Sequence, residues 1–287
     1  MPPSSASAAG SFAIGGDLPV HRLGFGAMRL KRRTEDPTPD EREAAYAVLR
    51  RAVELGVTLI DTAPLYGASE DLIGEAFPTY PEGVHVVTKV GIVHAGGAFV
   101  HRGRPEQIRE DCERSLRRLH LDVIPLSQLH DVDPDVPIEE SVGGLAELQR
   151  EGKVRHIGLS NVDVDQLCRA QAVASIASVQ NRFSLAQRRS TDVLDVCADE
   201  GIAFLPWQPL AHDGLTPEGD RALADAATRL GATTRQVALA WVLGRAPVVV
   251  AIPGTGSLDH LEENVAAAGL VLTPEERTAL DAALDAA

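Results

Sequence analysis

The stretch Val57-Thr58-Leu59-Ile60-Asp61-Thr62-Ala63-Pro64-Leu65-Tyr66-Gly67 runs from four apolar or β-branched residues straight into an aspartate and a proline-containing turn. Such a run reads as a short buried strand that delivers a carboxylate to its C-terminal end. Before it, Asp40–Leu55 carries apolar residues at helical intervals. Helix, strand, polar strand end: that is the unit.

Working outward, the unit recurs. Val84–Lys89 reads as a strand, and beyond a glycine-rich loop comes a helix over Pro105–Leu119, opened by proline and spaced by Ile108, Cys112, Leu116 and Leu119. Strands then follow at Val123–Leu129, Arg155–Gly158, Ser178–Gln180, Ile202–Leu205 and Val248–Ile252. Helical patterns separate them at Pro137–Glu151, Asp163–Gln171, Gln187–Glu200, Pro217–Leu230 and Thr233–Leu243. A first strand near Leu23–Met28 brings the strands to eight, and two further helices close the chain. Strict alternation with apolar strands implies a parallel sheet covered by helices. The expected fold is α/β: a single-domain (β/α)8 TIM barrel over residues 11–287, with an N-terminal β-hairpin in Ser11–Val20 and extra C-terminal helices. An open doubly wound sheet is the alternative that alternation alone leaves standing. Residues 1–10, rich in Ser, Ala and Pro, read as a flexible leader rather than a signal peptide, having neither a basic start nor an apolar core.

The 287 residues include 41 acidic and 27 basic side chains, a formal net charge of −14. So negative a surface argues against a nucleic-acid partner or an anionic membrane, both of which want a basic patch. No stretch approaches the ~18 apolar residues of a membrane span. Cys112, Cys168 and Cys197 are odd in number and widely spaced, as in a reduced cytoplasmic protein. The expected partner is a small molecule, and the expected state a monomer or weak homo-oligomer. No metal-binding spacing such as His-Glu-x-x-His occurs.

In a closed barrel the active site forms at the C-terminal ends of the strands. Asp61, Lys89 and His130 end three successive strands, and Tyr66 follows the first of them. A free phenol, with a pKa near 10, is a poor proton donor at neutrality. An adjacent ammonium lowers that value, and a carboxylate keeps the ammonium charged. A histidine beside the phenol can polarise a carbonyl oxygen or share its proton. Singly, they carry less: Asp61 could be a turn cap, Tyr66 could be loop packing, and His130 is one of nine histidines. Lys89 at the end of a buried strand is the least comfortable without a partner. The fifth and sixth strands add Ser160, Asn161 and Gln180 at the same rim.

At these residues the sequence resembles the aldo-keto reductase superfamily. The resemblance runs from Leu23-Gly24-Phe25-Gly26 to the last helix. It rests on residues 61–67, on Val86-Val87-Thr88-Lys89-Val90, and on Leu126-Ser127-Gln128-Leu129-His130-Asp131. Residues 152–161, 179–184 and 252–264 extend it. The opening residues 15–28 and the closing segment are most similar to the bacterial branch that includes pyridoxal reductase (pyridoxine 4-dehydrogenase).

The resemblance implies an NADPH-dependent reductase of aldehydes or ketones, pyridoxal among the candidates, with NADH as the alternative cofactor. Tyr66 would be the general acid, Lys89 and Asp61 would tune it, and His130 would orient the substrate oxygen. Asp61, Ala27 and Met28 would lie near the nicotinamide, and Ser160, Asn161 and Gln180 would hold its carboxamide. Trp207, followed by Pro209 and Leu210, would stack on the ring. Gly254, Thr255, Gly256 and Ser257 would cradle phosphate at a helix start, with Glu263 and Asn264 at the adenine. Family members often carry lysine and arginine where this chain has Gly254 and His260, which implies a weaker or more pH-dependent preference for NADPH.

Two other readings stand at this stage. The family also contains cofactor-binding regulatory subunits, so an NADP(H)-binding redox-sensing protein with little catalysis is one. A cofactor-free barrel isomerase or hydrolase is the other. The loops Arg29–Pro39 and Gly91–Arg104, with the one after Trp207, are expected to wall the pocket, and His94, Phe99, His101, His212 and Asp213 to line it. The run Lys31-Arg32-Arg33 reads as a solvated turn or an attractor of anionic substrates.

Overall fold

Helix boundaries follow from capping chemistry. Helix α1 (Pro39–Glu54) starts behind Thr38, whose hydroxyl accepts from the Glu41 N–H while Glu41 answers the Thr38 N–H. Reciprocal boxes of the same kind open α5 (Val164–Gln171), α8 (Thr234–Leu243) and α10 (Pro274–Asp281). The barrel strands between these helices are short and largely buried on both faces, because one face meets the barrel interior and the other meets a helix.

The computed structural model describes residues 5–30, 36–95 and 97–283. The run Lys31-Arg32-Arg33 lies outside them. A hairpin, β1 (Ser11–Ile14) and β2 (Leu18–His21), precedes the barrel strand β3 (Phe25–Gly26). After α1 come β4 (Leu59–Asp61), α2 (Ser69–Ala76) and β5 (His85–Val90). A second hairpin, β6 (Ile92–Ala95) and β7 (Ala98–His101), leads to α3 (Pro105–Arg118) and β8 (Ile124–Leu129). Then follow α4 (Ile138–Arg150), β9 (Val154–Ser160), α5, β10 (Ile176–Gln180), α6 (Thr191–Glu200) and β11 (Ala203–Phe204). Helices α7 (Pro217–Leu230), α8, α9 (Leu258–Ala266) and α10 complete the chain.

Seven strands pair in parallel in the order β11-β10-β9-β8-β5-β4-β3. The eighth strand is the extended segment 248–254, which bonds to both edges. On one side Phe204 N–H donates to Val248 O and Val250 N–H to Phe204 O, each at 2.9 Å. On the other, Ala251 N–H donates to Arg22 O and Gly24 N–H to Ala251 O, each at 2.8 Å. The sheet is therefore a closed eight-stranded barrel, which removes the open-sheet alternative. Glycines make the seam possible: a Cβ on Gly26 would lie 2.7 Å from the Ile252 carbonyl oxygen, and one on Gly254 2.7 Å from that of Gly26.

Strand alternation sorts the core. Leu59, Val87, Leu126, Ala203, Leu205, Val250 and Ile252 fill the interior together with Ile14, Leu18 and Val20, so the first hairpin plugs the N-terminal end. Alternate strand residues such as Ile60 and Leu129 pack outward against helices.

Three expectations need correction. The leader is not wholly flexible: Ala6–Ala9 forms a 3₁₀ turn capped by Ser5, with Ala6 fully buried and its N–H bonded to Leu55 O at 2.8 Å. The segment Ser5–Ala9 reads as small and weakly hydrophobic, yet the Ala6 methyl group is part of the core packed by α1 and α9. The glycine-rich loop Gly91–Arg104 is largely the β6–β7 hairpin, its stem held by the buried Asp111. Finally, α6 begins at Thr191 rather than Gln187, because Ser184 and Gln187 exchange backbone bonds in a tight turn.

Candidate active site

Counting by twos along each strand brings the polar residues to one level. Leu59 faces inward, so Asp61 does; Val87 implies Lys89; Leu126 implies Gln128 and His130. The hydrogen bonds bear this out. Lys89 Nζ donates to both Asp61 oxygens at 2.8 Å and to Thr62 O at 3.0 Å, in a site where Lys89 is completely buried. Gln180, from the opposite wall, donates to Asp61 Oδ1 at 2.8 Å.

Tyr66 ends a single 3₁₀ turn, Pro64–Tyr66, that folds back over the strand ends. Lys89 Nζ lies 5.0 Å from its ring centroid, and the His130 ring meets it edge-on at 5.8 Å. All four expected catalytic residues are thus brought together. The loop is pinned beyond Tyr66 as well. Ser69 and Thr62 share a hydroxyl hydrogen bond at 2.8 Å, and Thr88 donates to the buried carboxyl of Glu70 at 2.7 Å.

Electrostatics then assigns protonation states. Burial disfavours a charge on Lys89, but Asp61 and then Tyr66 outweigh it and hold the ammonium above its ordinary range. For Tyr66 the order is reversed. Burial raises the phenol's pKa more than Lys89 lowers it, so the net shift is upward, against the lowering expected from sequence. The phenol therefore keeps its proton. His130 is driven down to about 3 by burial and then by Lys89, so its imidazole is neutral, and its Nδ1 is buried with no partner among the described residues.

Around this centre stand the residues expected to bind a cofactor. Ala27 and Ser160 are buried, whereas Met28 is exposed. Asn161 uses both ends of its amide within the protein: Nδ2 donates to His130 O at 3.0 Å and Oδ1 accepts from Trp207 Nε1 at 2.9 Å. Asn161 and Gln208 both have left-handed backbones, φ 58° and 54°, on either side of that bond. Pro209 is buried and Leu210 half-buried.

Across the rim, no side chain caps the first turn of α9, so its N–H groups remain available to an anion after Gly254-Thr255-Gly256-Ser257. Thr255 is buried and its hydroxyl accepts from Ser257 N–H at 3.0 Å. These features suit a phosphorylated dinucleotide. The missing lysine at Gly254 has a physical cause in this chain, since any Cβ there meets Gly26 O. His260 is exposed on the first turn of α9; Asn264 is buried, and Glu263 Oε1 accepts from the Thr233 hydroxyl at 2.7 Å.

Comparison with known proteins accords with this geometry. The model of the aldo/keto reductase family matches residues 22–285. The chain belongs to that family. The aldo/keto reductase is 43% identical over 280 residues to an uncharacterized oxidoreductase of Schizosaccharomyces pombe, covering 96% of this chain and 90% of the relative. It is 40% identical over 275 residues to pyridoxine 4-dehydrogenase of Escherichia coli, covering 93% and 96%. An aldo-keto reductase from Klebsiella pneumoniae, solved in complex with NADPH, superposes with a TM-score of 0.80 at 30% identity, covering 94% of this chain and 93% of that one.

Three contributors in this aldo/keto reductase lie outside the set expected from sequence. Gln128 sits two residues before His130, and its Oε1 lies 3.4 Å from the Gln180 amide nitrogen; strand parity would have found it. Glu70 had no such signal, since a Glu after Ser at a helix start reads as solvated. Arg182, over the Trp207 ring, likewise reads as an ordinary surface residue. Among the described residues no helix is long and apolar enough to cross a membrane, and no three His, Cys, Asp or Glu side chains group as metal ligands would.

Proposed function

We propose that the protein is an NADPH-dependent carbonyl reductase in which Tyr66 is the general acid. One observation carries the reading: the Tyr66 ring packs against a completely buried ammonium held by Asp61 and, edge-on, against the His130 imidazole. NADPH, when bound, supplies the hydride to the carbonyl carbon. Tyr66 gives its proton to the carbonyl oxygen as negative charge develops there. Lys89 then faces the phenolate left behind, and the 2.8 Å bonds to Asp61 keep it cationic while it does so. His130, neutral, orients and polarises the carbonyl oxygen.

With the cofactor bound, Ser160, Gln180 and the hydrogen-bonding positions of Asn161 left over from its bonds to His130 and Trp207 would hold the carboxamide end, and Trp207 would stack on the ring. Gly254–Ser257 and the start of α9 hold phosphate, with His260 nearby and Glu263 and Asn264 at the adenine. Pyridoxal is the favoured substrate within the class, supported by the 40% identity to pyridoxine 4-dehydrogenase. The acidic chain and its unpaired cysteines fit a cytoplasmic enzyme acting as a monomer or weak homo-oligomer.

The test is a panel of aldehydes and ketones, pyridoxal included, followed by loss of NADPH absorbance in the wild type and in Tyr66→Phe. The variant should lose about 10²–10⁴-fold in turnover while binding NADPH as the wild type does. A Tyr66→Phe enzyme retaining most of its rate would remove the tyrosine from this role.

A further inference from the structure

We infer that Arg182 biases the protein toward reduced over oxidised nicotinamide by setting a positive charge behind the Trp207 ring. The inference rests on the reading of Trp207 as the nicotinamide platform. The Arg182 guanidinium lies 5.5 Å from the Trp207 ring centroid, over its face. Backbone bonds lock the two segments together: Trp207 N–H donates to Asn181 O at 3.0 Å and Phe183 N–H to Trp207 O at 3.4 Å. The indole edge is fixed separately by Nε1 donating to Asn161 at 2.9 Å. With one face under a guanidinium and the polar edge tied, a single face of the indole is left for a planar ligand.

Arg182 is exposed, and among the described residues no carboxylate forms an ion pair with it, so solvent rather than a counter-ion screens its charge. An indole stacks well on a cationic ring because its π face is electron-rich. A guanidinium on the back face draws on that same density and adds direct repulsion. Both effects fall on the oxidised nicotinamide, which carries a positive charge, and leave the neutral reduced ring untouched. Two unit charges on opposite faces of an aromatic ring at a protein rim repel enough to shift a dissociation constant about two- to tenfold. Oxidised cofactor would leave more readily than reduced cofactor, which favours repeated carbonyl reduction.

Calorimetric titration with NADP+ and with NADPH tests this on the wild type, Arg182→Gln, Arg182→Lys and Trp207→Ala. Arg182→Gln should tighten NADP+ about two- to tenfold and leave NADPH nearly unchanged, whereas Arg182→Lys should keep most of the wild-type ratio. Raising the salt concentration should narrow the wild-type ratio toward that of Arg182→Gln. An Arg182→Gln protein with the wild-type ratio, or one in which both affinities shift equally, would overturn the proposal. Trp207→Ala separates the two layers. If it leaves both affinities intact, the platform reading fails and takes the proposal with it; if it weakens both while Arg182→Gln keeps the ratio, only the role of Arg182 fails.

Discussion

Gln180 donates to Asp61 Oδ1 at 2.8 Å across the barrel interior, joining residues 119 positions apart in the chain. With the two contacts from Lys89, Asp61 accepts three charge-assisted or amide hydrogen bonds and is itself almost fully buried. The carboxylate is thereby the hub of the site: it holds the ammonium charged, and it ties the second strand to the sixth.

Replacing Asp61 by Asn should therefore do more than slow catalysis. It leaves Lys89 as a buried cation without a counter-charge, a change that typically destabilises a protein by about 3–5 kcal/mol. Urea denaturation near neutral pH would measure it. Lys89→Met combined with Asp61→Asn should recover part of the loss, because no lone charge then remains; a double variant no more stable than Asp61→Asn would contradict the account.

His130 predicts a pH effect on stability. Its folded pKa, about 3, lies far below the ordinary histidine value. Above that ordinary value the imidazole is neutral in both states, and the full contribution is present. As pH falls from about 6.5 toward 3, the unfolded chain takes up a proton that the folded site refuses, and stability drains away, by about 2 kcal/mol at pH 5. The wild type should thus lose more stability than His130→Gln between neutrality and pH 5. Parallel curves for the two would show that the imidazole is not buried as described.

Glu70 is buried, with its pKa raised by desolvation, and its carboxyl receives the Thr88 hydroxyl beside Lys89. Glu70→Gln keeps the shape and the acceptor and should stay within about 1 kcal/mol of the wild type. Glu70→Ala leaves a cavity and an unpaired hydroxyl and should destabilise by about 2–4 kcal/mol. It should also lower kcat by loosening the Tyr66 loop. Equal stabilities for the two variants would argue against the tether.

The barrel seam offers a steric test. Gly26→Ala places a methyl 2.7 Å from the Ile252 carbonyl oxygen, in a backbone that cannot give way without parting the first and eighth strands. A loss of about 1–3 kcal/mol is expected, with amide hydrogens at 24 and 26 exchanging faster. Gly143→Ala is the contrast, since nothing lies within 4 Å of its Cβ position and it sits in helix α4, where alanine is favoured.

Much of the architecture was legible because it depends on period. Helical spacing, apolar strands and capping pairs such as Thr38–Glu41 and Thr233–Gln236 are local, and the helices formed within a few residues of the expected bounds. The meeting of Asp61, Tyr66, Lys89 and His130 was legible for a related reason: residues at strand ends in a parallel barrel come together at one rim. The 3₁₀ turn at Ala6 was not, because its docking depends on a groove built by α1 and the final helices. Nor was the β6–β7 hairpin, whose stem is anchored by Asp111 on a helix further along the chain.

The linear order of residues, then, determined that strands and helices alternate and that an aspartate, a lysine and a histidine end successive strands, while closure of the sheet was decided by the bonds of residues 248–254 to both of its edges. Alternation and residue type are properties of neighbours along the chain. The tertiary structure alone decided the pairing of Asp61 with Gln180, the tether of Glu70, the guanidinium over Trp207, and the direction in which the Tyr66 pKa moves. Each of those depends on how much water is excluded and which distant groups replace it, and burial is set by the packed whole.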